Sequence, residues 1–249
     1  MTGVSLDDIL CRLPARSIDD VVAVMQAIDD RLPDTDGVKW FNRLYLRVTL
    51  GVRGAVAEAT FRDAAFLAAL DVAFANLYFT ALQQAETGPA SVPSAWRPLF
   101  RARSTPGIKR IQFALAGMNA HINRDLPVGI VQAFRALGGS PLIDRARHQD
   151  FEAVNDILAR VEDSARVDLS VGVIGVIDDL GGTADDAVAL WKVRAARAAA
   201  WTNATVLWVL QDVPALRDDF FAKLDSLTGL AGQGLLHPSR LSSAGVRDV

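Results

Sequence analysis

Apolar side chains recur at helical spacings along most of this chain, and this pattern constrains its fold more than any other feature. The longest example runs from Phe61 to Gln84, where apolar residues lie three and four positions apart. The segments Ile108–Ile122 and Ala187–Leu210 repeat the pattern. A stripe with this period is buried by packing against other helices. We therefore predict an all-α fold, a single-domain helical bundle that spans residues 1–249.

Local signals predict where several helices begin. Ser17, followed by two acids, is typical of a helix start, and a second helix is expected from Trp40. Pro106 suits the first turn of a later helix. Asp150 is predicted to cap a helix that runs through Asp163.

The later part of the chain is less regular. Gly138 and Gly139 form the strongest break in the helical pattern. Val171–Ile177 fits either a strand or a buried helix, because it is short and rich in Val and Ile. From about Gly229 onward Gly, Ser and Pro become frequent, so a loosely ordered C-terminal tail is predicted there.

Composition narrows the class of protein. The net charge of −3 argues against a nucleic-acid binder, which would carry a basic stripe. Cys11 is the only cysteine, so an intrachain disulfide is excluded, and the first residues carry acids where a signal peptide has bases. The longest uninterrupted apolar run is far below the roughly 20 residues of a membrane span. We expect a cytoplasmic protein without a membrane span.

The segment from Asn119 to Asp125 places four polar groups in an otherwise apolar stretch. His121 and Asp125 are four residues apart, so on a helix they lie on one side, and Asn119 and Asn123 form a second pair on roughly the other side. A buried polar group needs a partner. We therefore predict that a central buried helix carries this motif, and that the motif belongs to a polar network, a ligand site or a metal site.

His121 and Asp125 are the first candidates for catalysis. The carboxylate could orient the imidazole as a general acid or base, or both could bind one metal ion. Alternatively, His121 is a core histidine with satisfied hydrogen bonds, and Asp125 caps a helix that opens near Pro127. We expect His121 and Asp125 to face a shared internal pocket, joined there by at least one of Asp71, His148 or Arg194.

Asp71 is the third catalytic candidate. It shares a helix face with Tyr78, and burial would raise the pKa of its carboxyl unless a cation pairs with it. Arg197 and Trp201 are spaced for a cation–π contact. The residues predicted to bind substrate are Asn119, Asn123, Tyr78, Arg194, Trp201 and Asn155.

Two patterns raise the question of a metal. A single divalent ion could be held by His121, Asp125 and His148, which would give a metal-dependent hydrolase. Separately, Asn155 and Asp163 resemble the second magnesium motif of class I terpene synthases, although Ala159 stands at the hydroxyl position. The upstream aspartate-rich motif of that family is absent from the sequence.

Three blocks together resemble an uncharacterised helical family that is common in actinobacteria and defined only as a domain of unknown function. The blocks are Gly117–Leu126, Asp150–Asn155 and Arg197–Trp201, within a similarity from about Trp40 to Trp208. The resemblance implies a helical fold and a site at the Asn-Ala-His-Ile block. Some relatives would belong to natural-product pathways.

Three functions remain open. The leading hypothesis is an enzyme with an apolar helical cavity for a hydrophobic small molecule. We favour a cyclase or lyase, because no Gly-x-Ser-x-Gly nucleophile motif is present. Such an enzyme would require no cofactor. The alternatives are the metal-dependent hydrolase and a non-catalytic helical binding protein. A homodimer is compatible with each of them.

Overall fold

The computed structural model describes residues 5–11, 13–169 and 193–237, and every described element is helical. The described α-helices are α1 Leu6–Leu10, α2 Ile18–Arg31, α3 Gly37–Ala57, α4 Ala64–Thr87, α5 Arg97–Ala102, α6 Arg110–Ala120, α7 Leu126–Leu137, α8 Arg145–Leu169, α9 Val193–Val209 and α10 Pro214–Leu235. Short 3₁₀ turns lie at Pro89–Ser91 and Leu210–Asp212, and a π-helical turn, His121–Asp125, joins α6 to α7. The predicted all-α bundle is confirmed.

The continuous rod formed by α6, the π-helical turn and α7 lies at the centre of the bundle. The α6 part packs on α3 and α10, and the α7 part packs on α4 and α9. The side chains of His121, Ile122 and Asp125 in the turn are buried. The polar motif therefore lies on a central buried helix, as the sequence indicated.

The contact between α3 and α6 depends on two glycines. Gly37 of α3 lies against the ring of Phe113, and Gly117 of α6 lies against the ring of Phe41, so that each helix contributes one glycine and one phenylalanine. A Cβ atom at either glycine would overlap the opposing ring. The two glycines thus let the helices approach closely and bring Phe41 to the π-helical turn.

The first residues of α2, α3 and α6 can be compared with the helix starts that the sequence predicted. The Ser17 side chain accepts a hydrogen bond from the Asp20 N–H, and the Asp20 side chain accepts one from the Ser17 N–H, which confirms the predicted start of α2. Helix α3 begins before Trp40, because Asp36 caps it. The prediction for Pro106 is wrong: this residue precedes α6, which begins at Arg110.

The predicted capping role of Asp150 is also wrong. Helix α8 begins earlier, at Arg145, and the side chain of Asp144 accepts a hydrogen bond from the Arg147 N–H in its first turn. The Asp150 carboxylate instead accepts the N–H groups of Arg62 and Asp63 at 3.1 and 2.7 Å, just before α4. Sequence spacing could not distinguish a cap on its own helix from a cap on another.

Order continues past Gly229, where the sequence predicted a tail. Helix α10 extends to Leu235, because Gly229 approaches the backbone of Ser94 and Gly232 packs against Pro98. The glycines serve close helix packing rather than disorder. Residues 170–192, which include Val171–Ile177 and the first residues of the predicted Ala187–Leu210 helix, lie outside the described residues.

Among the described helices, α4 is the one long and apolar enough to cross a membrane. Its most apolar window has a mean hydropathy of 1.6, but 56% of that window is buried inside the bundle. Contacts with α7, α2 and α3 occupy its surface. A core helix has these properties, and α4 therefore gives no clear indication of a membrane span.

Candidate functional site

The polar motif lies in a break of regular helix geometry. From His121 to Asp125 the backbone forms a π-helical turn, in which the Leu126 N–H donates to the His121 carbonyl five residues earlier. Pro127 follows in the first turn of α7 and has no N–H to donate, which interrupts the α-helical hydrogen-bond ladder at this point. Single π-helical turns inside α-helices are frequent at functional sites.

His121 and Asp125 form a hydrogen-bonded dyad within the core. Both side chains are 0% exposed, and His121 Nδ1 lies 3.1 Å from Asp125 Oδ2. The same Asp125 oxygen accepts the indole N–H of Trp96 at 2.9 Å, and the other oxygen accepts a guanidinium N–H of Arg124 at 2.6 Å. Because a carboxylate accepts, the Nδ1 atom carries the hydrogen and donates it.

This arrangement leaves the second ring nitrogen of His121 available. Nε2 is buried and has no hydrogen-bond partner in the part of the chain that the structure describes. Burial lowers the pKa of His121, and the Asp125 hydrogen bond and charge only partly oppose this effect. The imidazole is therefore neutral near pH 7, with its proton on Nδ1 and a free lone pair on Nε2.

Aromatic rings fix the orientation of the imidazole. Phe74 stacks on His121 with ring centroids 3.4 Å apart and planes inclined by 8°. The ring of Tyr45 lies 4.5 Å from His121, and Phe41 and Trp96 lie at 5.6 and 5.9 Å. The imidazole thus has little freedom to turn, and Nε2 keeps one direction.

Three further polar atoms are buried and have no partner outside this group within the described residues: Tyr45 Oη, Thr49 Oγ1 and Asp71 Oδ2, of which the Tyr45 and Thr49 hydroxyls are near enough to share a hydrogen bond. Thr49 lies one helical turn beyond Tyr45 on α3, and Asp71 lies one turn before Phe74 on α4. An unsatisfied buried polar group costs about 1–3 kcal/mol. We call Tyr45, Thr49, Asp71 and His121 the polar quartet.

The electrostatics of the polar quartet reflect this burial. Desolvation raises the pKa of Asp71 to about 7. Desolvation also raises the pKa of Tyr45 well above its usual value, and the charges of Asp71 and Asp125 add to the effect, while the nearby Thr49 hydroxyl opposes it. The Tyr45 pKa is therefore sensitive to Asp71, which indicates that the two side chains lie near each other. Tyr45 is thus near both the base, His121, and a carboxyl group whose pKa lies near neutrality, Asp71.

Asn119 and Asn123, which were predicted to bind substrate, form hydrogen bonds within the protein. Asn123 donates to the side-chain oxygen of Asn119 at 3.0 Å, and Asn119 donates to the Thr228 carbonyl of α10 at 2.9 Å. The pair forms as its spacing indicated, but it attaches α10 to α6. Substrate binding by this half-buried pair stays a prediction.

Tyr78 was the tyrosine predicted to bind substrate, but the ring of Tyr45 lies nearer to His121, at 4.5 Å. The Tyr78 hydroxyl donates to Asn42 Oδ1 at 3.4 Å, and Asn42 donates to the Met25 carbonyl. Its ring lies 6.2 Å from His121. The sequence contained a signal for Tyr45: a tyrosine and a threonine four residues apart within the apolar stripe of α3.

A second aromatic cluster lies apart from the dyad and contains several of the other predicted site residues. Trp201 contacts His148 and Phe151 at 4.6 and 5.0 Å, and its indole N–H donates to the Pro141 carbonyl. The predicted cation–π contact with Trp201 is wrong, because the Arg197 guanidinium lies 4.0 Å above Phe151.

The polar groups of this second cluster are paired with each other. Arg197 donates to Asn155 Oδ1 at 2.9 Å and to the Phe151 carbonyl at 2.6 Å, and burial lowers the pKa of Arg197 to about 10. Asn155 is therefore an internal partner of Arg197. Arg194 is exposed and lies 3.7 Å from Asp156 of α8, so it does not join the dyad.

The predicted metal site of His121, Asp125 and His148 is not assembled. His148 is 46% exposed and lies 4.0 Å from Glu152. Over residues 5–11, 13–169 and 193–237, no three His, Cys, Asp or Glu side chains are placed to hold a metal ion. The magnesium motif is weakened too, because Asn155 Oδ1 already accepts from Arg197. The side chain of Asp163 lies outside the described residues.

Two residues that support the dyad gave little signal in the sequence. Trp96 is fully buried and its indole N–H donates to Asp125. Arg124 bridges Asp125 to Asp225 of α10, and Asp225 also accepts the N–H groups of Ser94 and Ala95. These contacts join segments that are far apart in sequence, and only the folded chain reveals them.

Three surface grooves lie away from the dyad. One of about 720 Å³ is formed by α1, α2 and their connection, and one of about 740 Å³ lies among α2, α3, α4 and α7. A third of about 480 Å³ lies between α5 and α10. None of the residues of the dyad lines these grooves.

The fold and the dyad define an all-α protein with a carboxylate-oriented histidine in its core. The sequence profile of a family of unknown function, DUF5995, matches residues 18–238, and the chain belongs to this family. Comparisons with curated proteins and with solved structures found no match.

Proposed function

We propose that this protein is an acid–base enzyme that acts on a hydrophobic small molecule as a cyclase or lyase. His121 Nε2 is the base, Asp125 orients it, and Asp71 supplies a proton. The observation that carries the proposal is a buried, unpaired Nε2 on a ring whose Nδ1 is held by a carboxylate. A core histidine with a purely structural role would be expected to use both nitrogens.

Two titrating groups with different environments support an acid–base step. His121 is neutral near pH 7, and Asp71, with its pKa raised to about 7, is partly protonated there. In a lyase step, Nε2 removes a proton from carbon, and the C–H electrons form a double bond. The neighbouring C–O bond breaks, and Asp71 protonates the departing hydroxyl, which leaves as water.

The closed site requires motion before chemistry. His121 and Asp125 are 0% exposed, so a substrate reaches Nε2 only when neighbouring helices separate locally. Closure then excludes water from the reacting groups. The proposal includes a cytoplasmic location, no cofactor, and a place in actinobacterial natural-product biosynthesis.

A proton-exchange assay tests the proposal without a known substrate. The protein is incubated in D₂O with a mixture of small apolar ketones and hydroxyketones, and NMR measures the loss of C–H signal. We expect His121→Asn to reduce exchange by roughly 10²–10⁴-fold, because it removes Nε2 yet leaves a donor near Asp125. His148→Asn is the matched control, since that histidine lies in the other aromatic cluster.

The same variants test the non-catalytic alternative. If His121 only stabilises the core, the wild-type protein will exchange no proton of any compound, and His121→Asn will lower the melting temperature through lost packing. That outcome would reject the enzyme and favour a helical binding protein. Equal exchange by His121→Asn and the wild type would also reject the proposal.

A further inference from the structure

We propose that the polar quartet binds the oxygen-bearing end of an uncharged ketone or alcohol, with Tyr45 and Thr49 as its binding residues. This inference rests on the proposed function, because it concerns the same site, and it names the chemical class of the substrate. The observation behind it is that four buried polar atoms have no partner outside their own group within the described residues: Tyr45 Oη, Thr49 Oγ1, Asp71 Oδ2 and His121 Nε2.

The donors and acceptors of the quartet match a single oxygen function. The hydroxyls of Tyr45 and Thr49 can donate, and so can Asp71 in its protonated form, whereas His121 Nε2 can only accept. A carbonyl or hydroxyl oxygen has two lone pairs for such donors. The hydrogen on that hydroxyl, or on the carbon beside a carbonyl, would face Nε2.

The charges around the quartet argue against an anionic ligand. Its four members carry no cationic side chain, since His121 is neutral near pH 7. Arg124, the cation on the dyad, is already paired with Asp125 and with Asp225 of α10 at 2.6 and 3.1 Å. A carboxylate or phosphate at the quartet would therefore be buried without a counter-charge, which is strongly unfavourable.

The aromatic rings define the rest of the ligand. An ammonium ion would need open aromatic faces, but the face of Phe74 is covered by the His121 ring at 3.4 Å. The ring edges of Phe41 and Tyr45 that border the imidazole are apolar surfaces. They suit a hydrocarbon body attached to the bound oxygen.

Four probes of matched size test this class of ligand on the full chain: cyclohexanone, cyclohexanol, cyclohexanecarboxylate and cyclohexylammonium. NMR of ¹⁵N-labelled histidine follows the Nε2 signal of His121, with His148 and His237 as internal references. We expect the ketone and the alcohol to shift the His121 signal alone. Stronger binding of the carboxylate or the ammonium ion would overturn the inference.

Tyr45→Phe and Thr49→Val remove the proposed donors with little change in shape. Each should weaken cyclohexanone binding by about three- to tenfold, the value of one neutral hydrogen bond. In the free protein each variant removes at most the hydrogen bond between the Tyr45 and Thr49 hydroxyls, so its melting temperature should stay close to that of the wild type. Tyr78→Phe is the matched comparison: its hydroxyl has a partner in Asn42, so this variant should be less stable.

The outcomes separate this inference from the proposed function. Binding of the neutral probes with no proton exchange would keep the inference and reject the enzyme. Proton exchange of charged compounds only would keep the enzyme and reject the inference about a neutral ligand. If no neutral probe binds, and Tyr45→Phe lowers the melting temperature, the quartet holds ordered water and the inference is wrong.

Discussion

Two buried aspartates show how strongly partners decide the behaviour of a residue. Asp125 accepts hydrogen bonds from His121, Trp96 and Arg124. Asp71 is also buried, but its Oδ2 has no partner among the described residues, and desolvation raises its pKa to about 7. Both lie in apolar helical segments, so the sequence identifies them as unusual but cannot distinguish their roles.

Asp71→Asn should change how stability depends on pH. The pKa of Asp71 in the folded protein, about 7, lies above its usual 3.8. The folded protein therefore keeps this proton over a range in which the unfolded chain loses it, and stability falls as pH rises from about 4 to 7. The side chain of the Asp71→Asn variant does not titrate. At pH 8 its free energy of unfolding should therefore exceed that of the wild type by on the order of a few kcal/mol.

Urea denaturation at pH 4, 6 and 8 measures this difference. Asp156→Asn is the control, because Asp156 is 74% exposed and should give a similar difference from wild type at each pH. A wild-type minus Asp71→Asn difference that stays constant with pH would contradict the buried, unpaired state of this carboxyl group.

At the scale of the element, glycine positions determine how closely the helices approach. Gly117 allows Phe41 of α3 to lie against α6, and Phe41 then borders the His121 ring. Gly229 and Gly232 let α10 approach Ser94 and Pro98 in the same way. In the sequence, glycine predicts a break in a helix. In this fold the absence of a side chain at these positions allows a ring or a backbone segment to pack closely against the helix.

Gly117→Ala should destabilise the protein by about 1–3 kcal/mol, because the new methyl group would overlap the ring of Phe41. Gly54→Ala is the matched control. Gly54 also lies in a helix, α3, but no atom lies within 4 Å of the position that its new methyl group would take, so helix propensity should stabilise this variant by roughly 0.5–1 kcal/mol.

Thermal denaturation of both glycine variants measures the contrast, and the His121 NMR signal reports whether Phe41 has moved. Two variants with the same change in stability would show that the close approach of α3 and α6 is not required.

At the scale of the whole molecule, most of the predicted site residues fall into two buried clusters rather than one. The first surrounds His121, and the second contains Trp201 and Arg197 with its partners on α8. The sequence grouped residues of both into one predicted site, because each looked like an inward polar or aromatic residue. The fold places them on different helix contacts.

Double-mutant cycles should show that the clusters are energetically separate. His121→Asn and Trp201→Phe should have additive effects on the free energy of unfolding, within about 0.5 kcal/mol, because the two residues share no ring contact or hydrogen bond. His121→Asn and Asp125→Asn, which act on one hydrogen bond, should show a coupling energy of roughly 0.5–3 kcal/mol. Equal coupling in both cycles would contradict the separation.

The sequence alone determined the helical fold, the break at Gly138 and the buried polar motif, because apolar periodicity, turn residues and i, i+4 spacing are local properties. The partners of that motif were decided by the tertiary structure. Tyr45 reaches His121 from α3, Trp96 reaches Asp125 from the segment before α5, and Asp71 of α4 lies near Tyr45. His148 and Arg194 point to other neighbours, since the direction of a side chain depends on how whole helices are rotated against each other. The spacing of residues along one helix does not specify that rotation.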